Sequence, residues 1–269
     1  MRTIVHLSDL HFGRVDLTVV EPLIETITKI KPDLVAVSGD LTQRARSRQF
    51  QEARAFLDRL PKPQVIVPGN HDVPLHNVFA RFLEPLTKYR RYISDDLWPF
   101  HADNEIAVLG VNTARSLTIK GGRVNANQVA LMRDRFCDLD PKLVKILVTH
   151  HPFDLPEGHD EKQLVGRARM AMETLAGCGA DVFLAGHLHV SHTSHSATRY
   201  QIKGHSALVI QAGTATSTRG RGEANSFNLI HVDRPRITVE RLEWKAERKE
   251  FVLAMTEHFD HTPDGWLRV

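Results

Sequence analysis

Five strand-length apolar runs in this chain each end in a short polar cluster, and that repetition constrains the fold more than any other feature. The runs are Ile4 to Leu7, Leu34 to Val37, Val65 to Val67, Val144 to Val148 and Val182 to Leu184, with a sixth run, Ile106 to Val111, lacking such a cluster. They lead into Asp9 and His11, Asp40, the trio Asn70, His71 and Asp72, the pair His150 and His151, and His187 with His189. Between the runs lie segments with helical spacing: Leu23, Ile27 and Ile30 after Pro22; Phe50, Ala53, Leu57 and Leu60; Val129, Met132 and Phe136. Strands alternating with helices predict a layered α/β fold. From about Val190 the helical spacing stops and strand signals follow at Ala207 to Gln211, Phe227 to Val232, Ile237 to Trp244 and Phe251 to Met255. These predict antiparallel strands over about 190 to 257. No Gly/Ser/Pro-rich linker separates the two parts, so the expectation is a single domain over 1–269 containing two sheets.

In α/β sheets the carboxyl ends of the strands line one edge, and ligands bind there. The five clusters are therefore expected to converge. Asp9 and His11 are two apart, as are His187 and His189, so an extended backbone would project each pair to one side. That edge offers carboxylates, imidazoles and an amide but no thiolate, a donor set suited to Mn, Fe or Zn. It exceeds what one tetrahedral ion needs. Asp40, from a middle strand, is placed to bridge two ions, and two ions about 3.5 to 4 Å apart are the apparatus for displacement at phosphorus. Gly39, Gly69 and Gly186, each just before a cluster, let the backbone turn and approach closely.

The order D-x-H, GD, GNHD, a histidine pair and G-H-x-H over residues 9 to 189 resembles the calcineurin-like metallophosphoesterases. The resemblance implies a four-layer α/β/β/α sandwich of two mixed sheets. It also implies a metal-dependent phosphodiesterase, a hydrolase acting by attack of a metal-bridging hydroxide. Asp9, His11, Asp40 and His189 would hold one metal and Asp40, Asn70, His150 and His187 the other, with two divalent ions, Mn or Fe first and Zn next. His71 would face the leaving group and Asn70 the phosphoryl oxygens. GDLT together with GNHD is most similar to the class III cyclic nucleotide phosphodiesterases, so a cyclic nucleotide is the expected substrate. Asp72 departs from the GNHE of protein Ser/Thr phosphatases, and Gln43 stands where those enzymes carry an acidic residue. UDP-diacylglucosamine hydrolases carry Arg where His71 stands.

Composition excludes other classes. With 42% hydrophobic and 25% charged residues the chain is ordinary globular protein, and no membrane-spanning run or signal-peptide apolar region is visible, which predicts a cytoplasmic protein without a membrane partner. Lys plus Arg at 35 against Asp plus Glu at 32 leaves +3, weak support for a nuclease or another partner of nucleic acid. A nuclease or other phosphoesterase of the same superfamily, and a non-catalytic scaffold with a retained fold, are the alternatives. A scaffold should show gaps in the ligand set, and none is visible. Cys137 and Cys178 belong to no paired spacing and read as inert, partly buried thiols. Isolated histidines such as His6, His76, His192, His195 and His205 read as structural residues, and Asp72 as a hydrogen-bond acceptor in a loop.

For the substrate, Arg219 or Arg221 in the loop Gly213 to Phe227 is expected to contact a phosphate. The stretch from Leu117 to Gln128 reads as a turn into a helix with Asn125 near its start, forming one wall of the cleft. The tail from His258 to Val269, with Trp266, is open to three roles: capping the site, extending a sheet, or meeting a second subunit in a homodimer.

Overall fold

The computed structural model describes residues 1–75, 78–116, 121–219 and 222–269; His76, Arg221 and the start of the Leu117 to Gln128 stretch lie outside them. Among the described residues the chain forms thirteen strands: β1 Arg2–Leu7, β2 Leu34–Ser38, β3 Gln64–Val67, β4 Phe100–Ala102, β5 Ile106–Gly110, β6 Val144–Val148, β7 Ala180–Ala185, β8 His192–His195, β9 Leu208–Gln211, β10 Ser226–Asp233, β11 Arg236–Lys245, β12 Glu250–Thr262 and β13 Gly265–Arg268. One sheet has the order β13-β12-β11-β10-β1-β2-β3 and the other β4-β5-β6-β7-β9-β8. In the first, β1, β2 and β3 are parallel and β10 to β13 antiparallel; in the second, β5, β6, β7 and β9 are parallel, flanked by antiparallel β4 and β8. Both sheets are mixed, as expected.

The helices are α1 Leu17–Ile30, α2 Ser47–Asp58, α3 Val78–Leu83, α4 Thr87–Tyr92, α5 Ala126–Phe136, α6 Ala168–Gly177 and α7 Ala197–Tyr200. Why the strands read as unbroken apolar runs follows from their two buried faces. In β1, Ile4 points into the layer between the sheets while Val5 and Leu7 point toward α1 and α2; in β2, Leu34 and Ala36 face the inter-sheet layer and Val35 and Val37 the helices. In β6, Ile146 faces the other sheet and Leu147 faces α5 and α6. Alternation thus builds three apolar layers between four structural ones, the α/β/β/α sandwich.

Several elements differ from the sequence reading. The first helix begins at Leu17, with Pro22 inside it, because the Asp16 carboxylate accepts from the Thr18 N–H and starts the helix earlier. The region beyond 190 is not one antiparallel unit. β9 runs parallel to β7 in the second sheet and the short α7 precedes it, whereas β10 onward completes the first sheet. The tail extends a sheet: β13 pairs with β12, and the Trp266 indole is buried between the sheets. Cys137 and Cys178 are not free thiols but a disulfide, because they follow the ends of α5 and α6, which lie side by side on the second sheet.

Candidate metal centre

The parallel strands deliver their polar clusters to one edge. Asp9 and His11 follow β1, Asp40 follows β2, Asn70 and His71 follow β3, His150 and His151 follow β6, and His187 and His189 follow β7. The backbone of these loops is knitted together: the Asp9 N–H donates to the Gly39 carbonyl at 3.1 Å, His11 N–H to the Asp40 carbonyl at 2.9 Å, and Gly186 N–H to the His150 carbonyl at 3.1 Å.

The paired residues do converge, but not by strand alternation. Asp9, His11, Asp40, His187 and His189 all take left-handed backbone, with φ of 54°, 50°, 52°, 73° and 59°. Non-glycine residues seldom adopt this conformation, and the strain it stores concentrates at functional sites. Two glycines make the packing feasible. A Cβ at Gly186 would stand 1.7 Å from Ser8 Oγ and 2.6 Å from Asp9 Oδ2, and one at Gly69 would stand 2.1 Å from Asp40 Oδ1.

One donor atom from each of Asp9, His11, Asp40 and His189 lies within 4.8 Å of every other, and all four residues are buried. Asp9 Oδ2 is spent on Ser8 Oγ and the His187 N–H, but Oδ1 accepts no hydrogen bond and faces His189 Nε2 at 3.1 Å and His11 Nε2 at 3.5 Å. The two Nε2 atoms are 3.2 Å apart. Lone pairs facing one another out of water are costly unless a cation stands among them, so these residues fit a metal. A proton can meet part of the same demand: burial pushes His189 down, but Asp9 beside it outweighs that and raises it. Burial likewise opposes ionisation of Asp9, yet His189 and His11 hold its carboxyl well below the usual range.

The second group shares Asp40. His150 Nε2 lies 3.0 Å from Asn70 Oδ1, 3.3 Å from His187 Nδ1 and 3.4 Å from Asp40 Oδ1, and His187 Nδ1 is 3.1 Å from Asn70 Oδ1. His150 Nδ1 donates to the Ser38 carbonyl at 2.8 Å, so its Nε2 presents a lone pair to the cluster. Burial, with His150 adding to it, pushes His187 down to about 3. Asp40 Oδ2 is turned the other way, 3.8 Å from His11 Nε2. His151 also reaches this group. Its ring packs 4.7 Å from that of His187, and its Nδ1 is 2.8 Å from Thr113 Oγ1.

His71 stands beside both groups, its ring 4.9 Å from that of His11. Its Nδ1 donates to the Gln43 carbonyl at 2.8 Å, which leaves Nε2 a lone pair; Nη1 of Arg219 donates to it at 3.0 Å. A backbone carbonyl thus orients His71 where protein Ser/Thr phosphatases would be expected to use an acidic side chain. Burial lowers the His71 pKa. Arg219 comes to the site from the loop after β9, and its own carbonyl lies 3.3 Å from His189 Nδ1. Asp72 stays out of the clusters: its carboxylate accepts from the N–H groups of Leu41, Thr42 and Gly69 and ties the β2 and β3 loops together. The carbonyls of Ser38 and Gln43 and the hydroxyl of Thr113 were not legible in the sequence. Any residue supplies a carbonyl, and only the Asn-Thr in the loop just after β5 could have drawn attention to Thr113.

Residues 2–191 match the calcineurin-like phosphoesterase family. The chain belongs to that family. Among curated relatives it is 26% identical over 172 residues to the glycerophosphodiester phosphodiesterase GpdQ of Enterobacter lignolyticus, covering 56% of this chain and 58% of GpdQ. The chain therefore matches little more than half the length of that relative. It is 25% identical over 260 residues to the cAMP/cGMP dual specificity phosphodiesterase MT0825 of Mycobacterium tuberculosis, covering 85% of this chain and 75% of the other. Among solved structures, a dimetal phosphatase from Danio rerio superposes with a TM-score of 0.67 at 13% identity, covering 94% of this chain and 98% of that one, which establishes the shared fold. No helix among the described residues is long and apolar enough to cross a membrane.

Proposed function

We propose that this phosphoesterase hydrolyses phosphodiesters at a dinuclear metal site, with a cyclic nucleotide as substrate. The observation that carries the reading is Asp40, whose two carboxylate oxygens face different groups, Oδ1 toward His150 and Oδ2 toward His11. That is the disposition of a bridging carboxylate. Asp9, His11, Asp40 and His189 would hold one ion and Asp40, Asn70, His150 and His187 the other. When bound, two such ions supply an ionised water at neutral pH and positive charge against the phosphoryl oxygens.

The chain's own groups do the rest. The Asn70 amide, beside His150 and His187, orients the phosphoryl group, and its loss would remove a ligand and a polar contact together. His71, held by the Gln43 carbonyl, presents Nε2 toward the place where a leaving oxygen departs; once Arg219 has turned from that nitrogen to the phosphate and Nε2 has taken a proton from water, the imidazolium gives the leaving oxygen a proton or a hydrogen bond. Arg219, already 3.0 Å from that nitrogen, is placed to take a phosphate oxygen. The cyclic nucleotide reading draws support from the motif resemblance and from the name of the mycobacterial relative. A cytoplasmic setting is part of this reading, although the Cys137–Cys178 bond is of a kind more common outside the cytoplasm.

The test is manganese-reconstituted hydrolysis of 3′,5′-cyclic AMP, 2′,3′-cyclic AMP, glycerophosphocholine and bis-p-nitrophenyl phosphate side by side, with Asn70→Ala as control. Turnover of one cyclic nucleotide well above the artificial diester is expected. Activity on the artificial diester alone would keep the dinuclear chemistry and remove the cyclic nucleotide. A His71→Ala variant should keep both metals and lose about 10²- to 10⁴-fold in turnover; loss of metal with full activity on remetallation would show that His71 is no proton donor.

A further inference from the structure

We infer that His151 is a positioning residue for the second ion, its ring bracing that of His187 so that the two imidazoles of that group aim at one point. The inference deepens the dinuclear reading and rests on it. His150 and His151 both reach the group because β6 ends at Val148, so the alternation of strand side chains no longer separates them. One donor atom from each of His150, His151 and His187 lies within 4.8 Å of the others, and all three residues are buried. The rings pack as a triangle, with centroids 4.8 Å apart for His150 and His151, 4.7 Å for His151 and His187, and 5.1 Å for His150 and His187.

The three rings differ in how each is held. A metal-binding histidine is ordinarily oriented by an acceptor on its other ring nitrogen. His150 follows that rule, its Nδ1 donating to the Ser38 carbonyl at 2.8 Å. His187 does not: its Nδ1 faces Asn70 Oδ1 and His150 Nε2, and among the described residues no acceptor meets its Nε2. The His151 ring lies against it instead, and His151 is itself fixed by two neighbours. Thr113, buried, accepts the His151 N–H at 3.2 Å and meets Nδ1 with the same hydroxyl at 2.8 Å. Gly122 closes on the ring so tightly that a Cβ there would stand 2.2 Å from both Cγ and Nδ1 of His151. Gly122 is held in place, because its carbonyl accepts from the Gly166 N–H at 2.8 Å and the next residue, Arg123, donates its N–H to the Thr113 carbonyl at 3.1 Å. A ring packed this closely leaves His187 few rotamers.

The experiment perturbs His151 without changing a ligand. Gly122 has no left-handed backbone, so Gly122→Ala alters only the space on the ring; Thr113→Val deletes the hydroxyl, and Thr113→Ser keeps it. Manganese binding to each metal-free protein is followed by calorimetry and by electron paramagnetic resonance, and His150→Gln, which lacks a ligand of the second group, supplies the signal of the first site alone. The wild type is expected to bind two ions and give the exchange-coupled signal of a manganese pair. Gly122→Ala and Thr113→Val should weaken the second ion by about 10- to 100-fold, leave the first close to wild type, and show the signal of His150→Gln at a loading that gives the wild type its pair. Thr113→Ser should recover the pair. Variants that bind both ions as the wild type does, equal loss of both ions, or a Thr113→Ser that behaves like Thr113→Val would each overturn the inference while the wild-type pair signal stands. A wild type that shows a lone ion at every loading would overturn the dinuclear reading, and this inference with it.

Discussion

Buried carboxylates and imidazoles occur at both ends of this sandwich, and the two ends treat them differently. At the entry end of the second sheet, Asp181 has each oxygen matched to one donor, Oδ1 to the Trp266 indole N–H at 2.8 Å and Oδ2 to the Lys145 N–H at 2.9 Å. His6, in the middle of β1, is matched in the same way, with Ser38 Oγ at 2.9 Å and Asn228 Nδ2 at 3.5 Å. At the exit end, Asp9, His11, Asp40 and His189 turn their lone pairs toward one another, on strained backbone, with glycines where a Cβ would collide. Burial of polar groups therefore does not mark a site; failure to pair them one to one does. A single unmatched nitrogen is too weak a mark, since His195 and His205 each have one. Several aimed at one point are needed.

The contrast can be broken most decisively at Asp40. If it serves both groups, Asp40→Asn should lower the content of both metals and reduce turnover on the order of 10³-fold, measured by elemental analysis and diester hydrolysis. Loss of one metal alone would show that the two groups are independent. Trp266→Ala attacks the opposite end. It should cost about 3 to 5 kcal/mol of stability in a denaturant titration, from lost packing between the sheets and an unmatched Asp181 oxygen. Metal content per folded molecule should not change; if it did, the ends would be coupled and the contrast would fail.

His6 provides the finest measurement. Burial pushes its pKa from an ordinary value near 6.5 down to about 3. Folding thus excludes a proton that the unfolded chain binds, so the contribution is fully present above pH 6.5 and is lost as pH falls toward 3. Within that window the wild type should lose up to roughly 1.4 kcal/mol per pH unit from this residue. His6→Gln, compared by chemical denaturation at several pH values, should have a flatter acid limb by that amount. An unchanged slope would mean that His6 charges in the folded state and is not matched as described.

Much of the architecture could be read without coordinates because its signals are local. The runs at β1, β2, β3, β6 and β7 announce strands buried on two faces, and the polar residues after each announce a common edge. Asn125 announces a helix start, and the structure adds Gln128 as its reciprocal cap, with the pair at 2.8 and 3.0 Å. Short elements were illegible. β4 and β8 are half-buried edge strands of three and four residues, with too few apolar positions to display a period.

The amino-acid sequence by itself determined the layered α/β class and the order in which carboxylates, imidazoles and an amide reach one edge, since both depend on residue type and spacing along the chain. Only the tertiary structure decided the left-handed turns at Asp9, His11 and Asp40, the Gln43 carbonyl and Arg219 guanidinium that flank His71, the Cys137–Cys178 bond, and the docking of Trp266 between the sheets. Each of these joins segments remote in the chain or uses backbone atoms that every residue carries, so no local pattern encodes it.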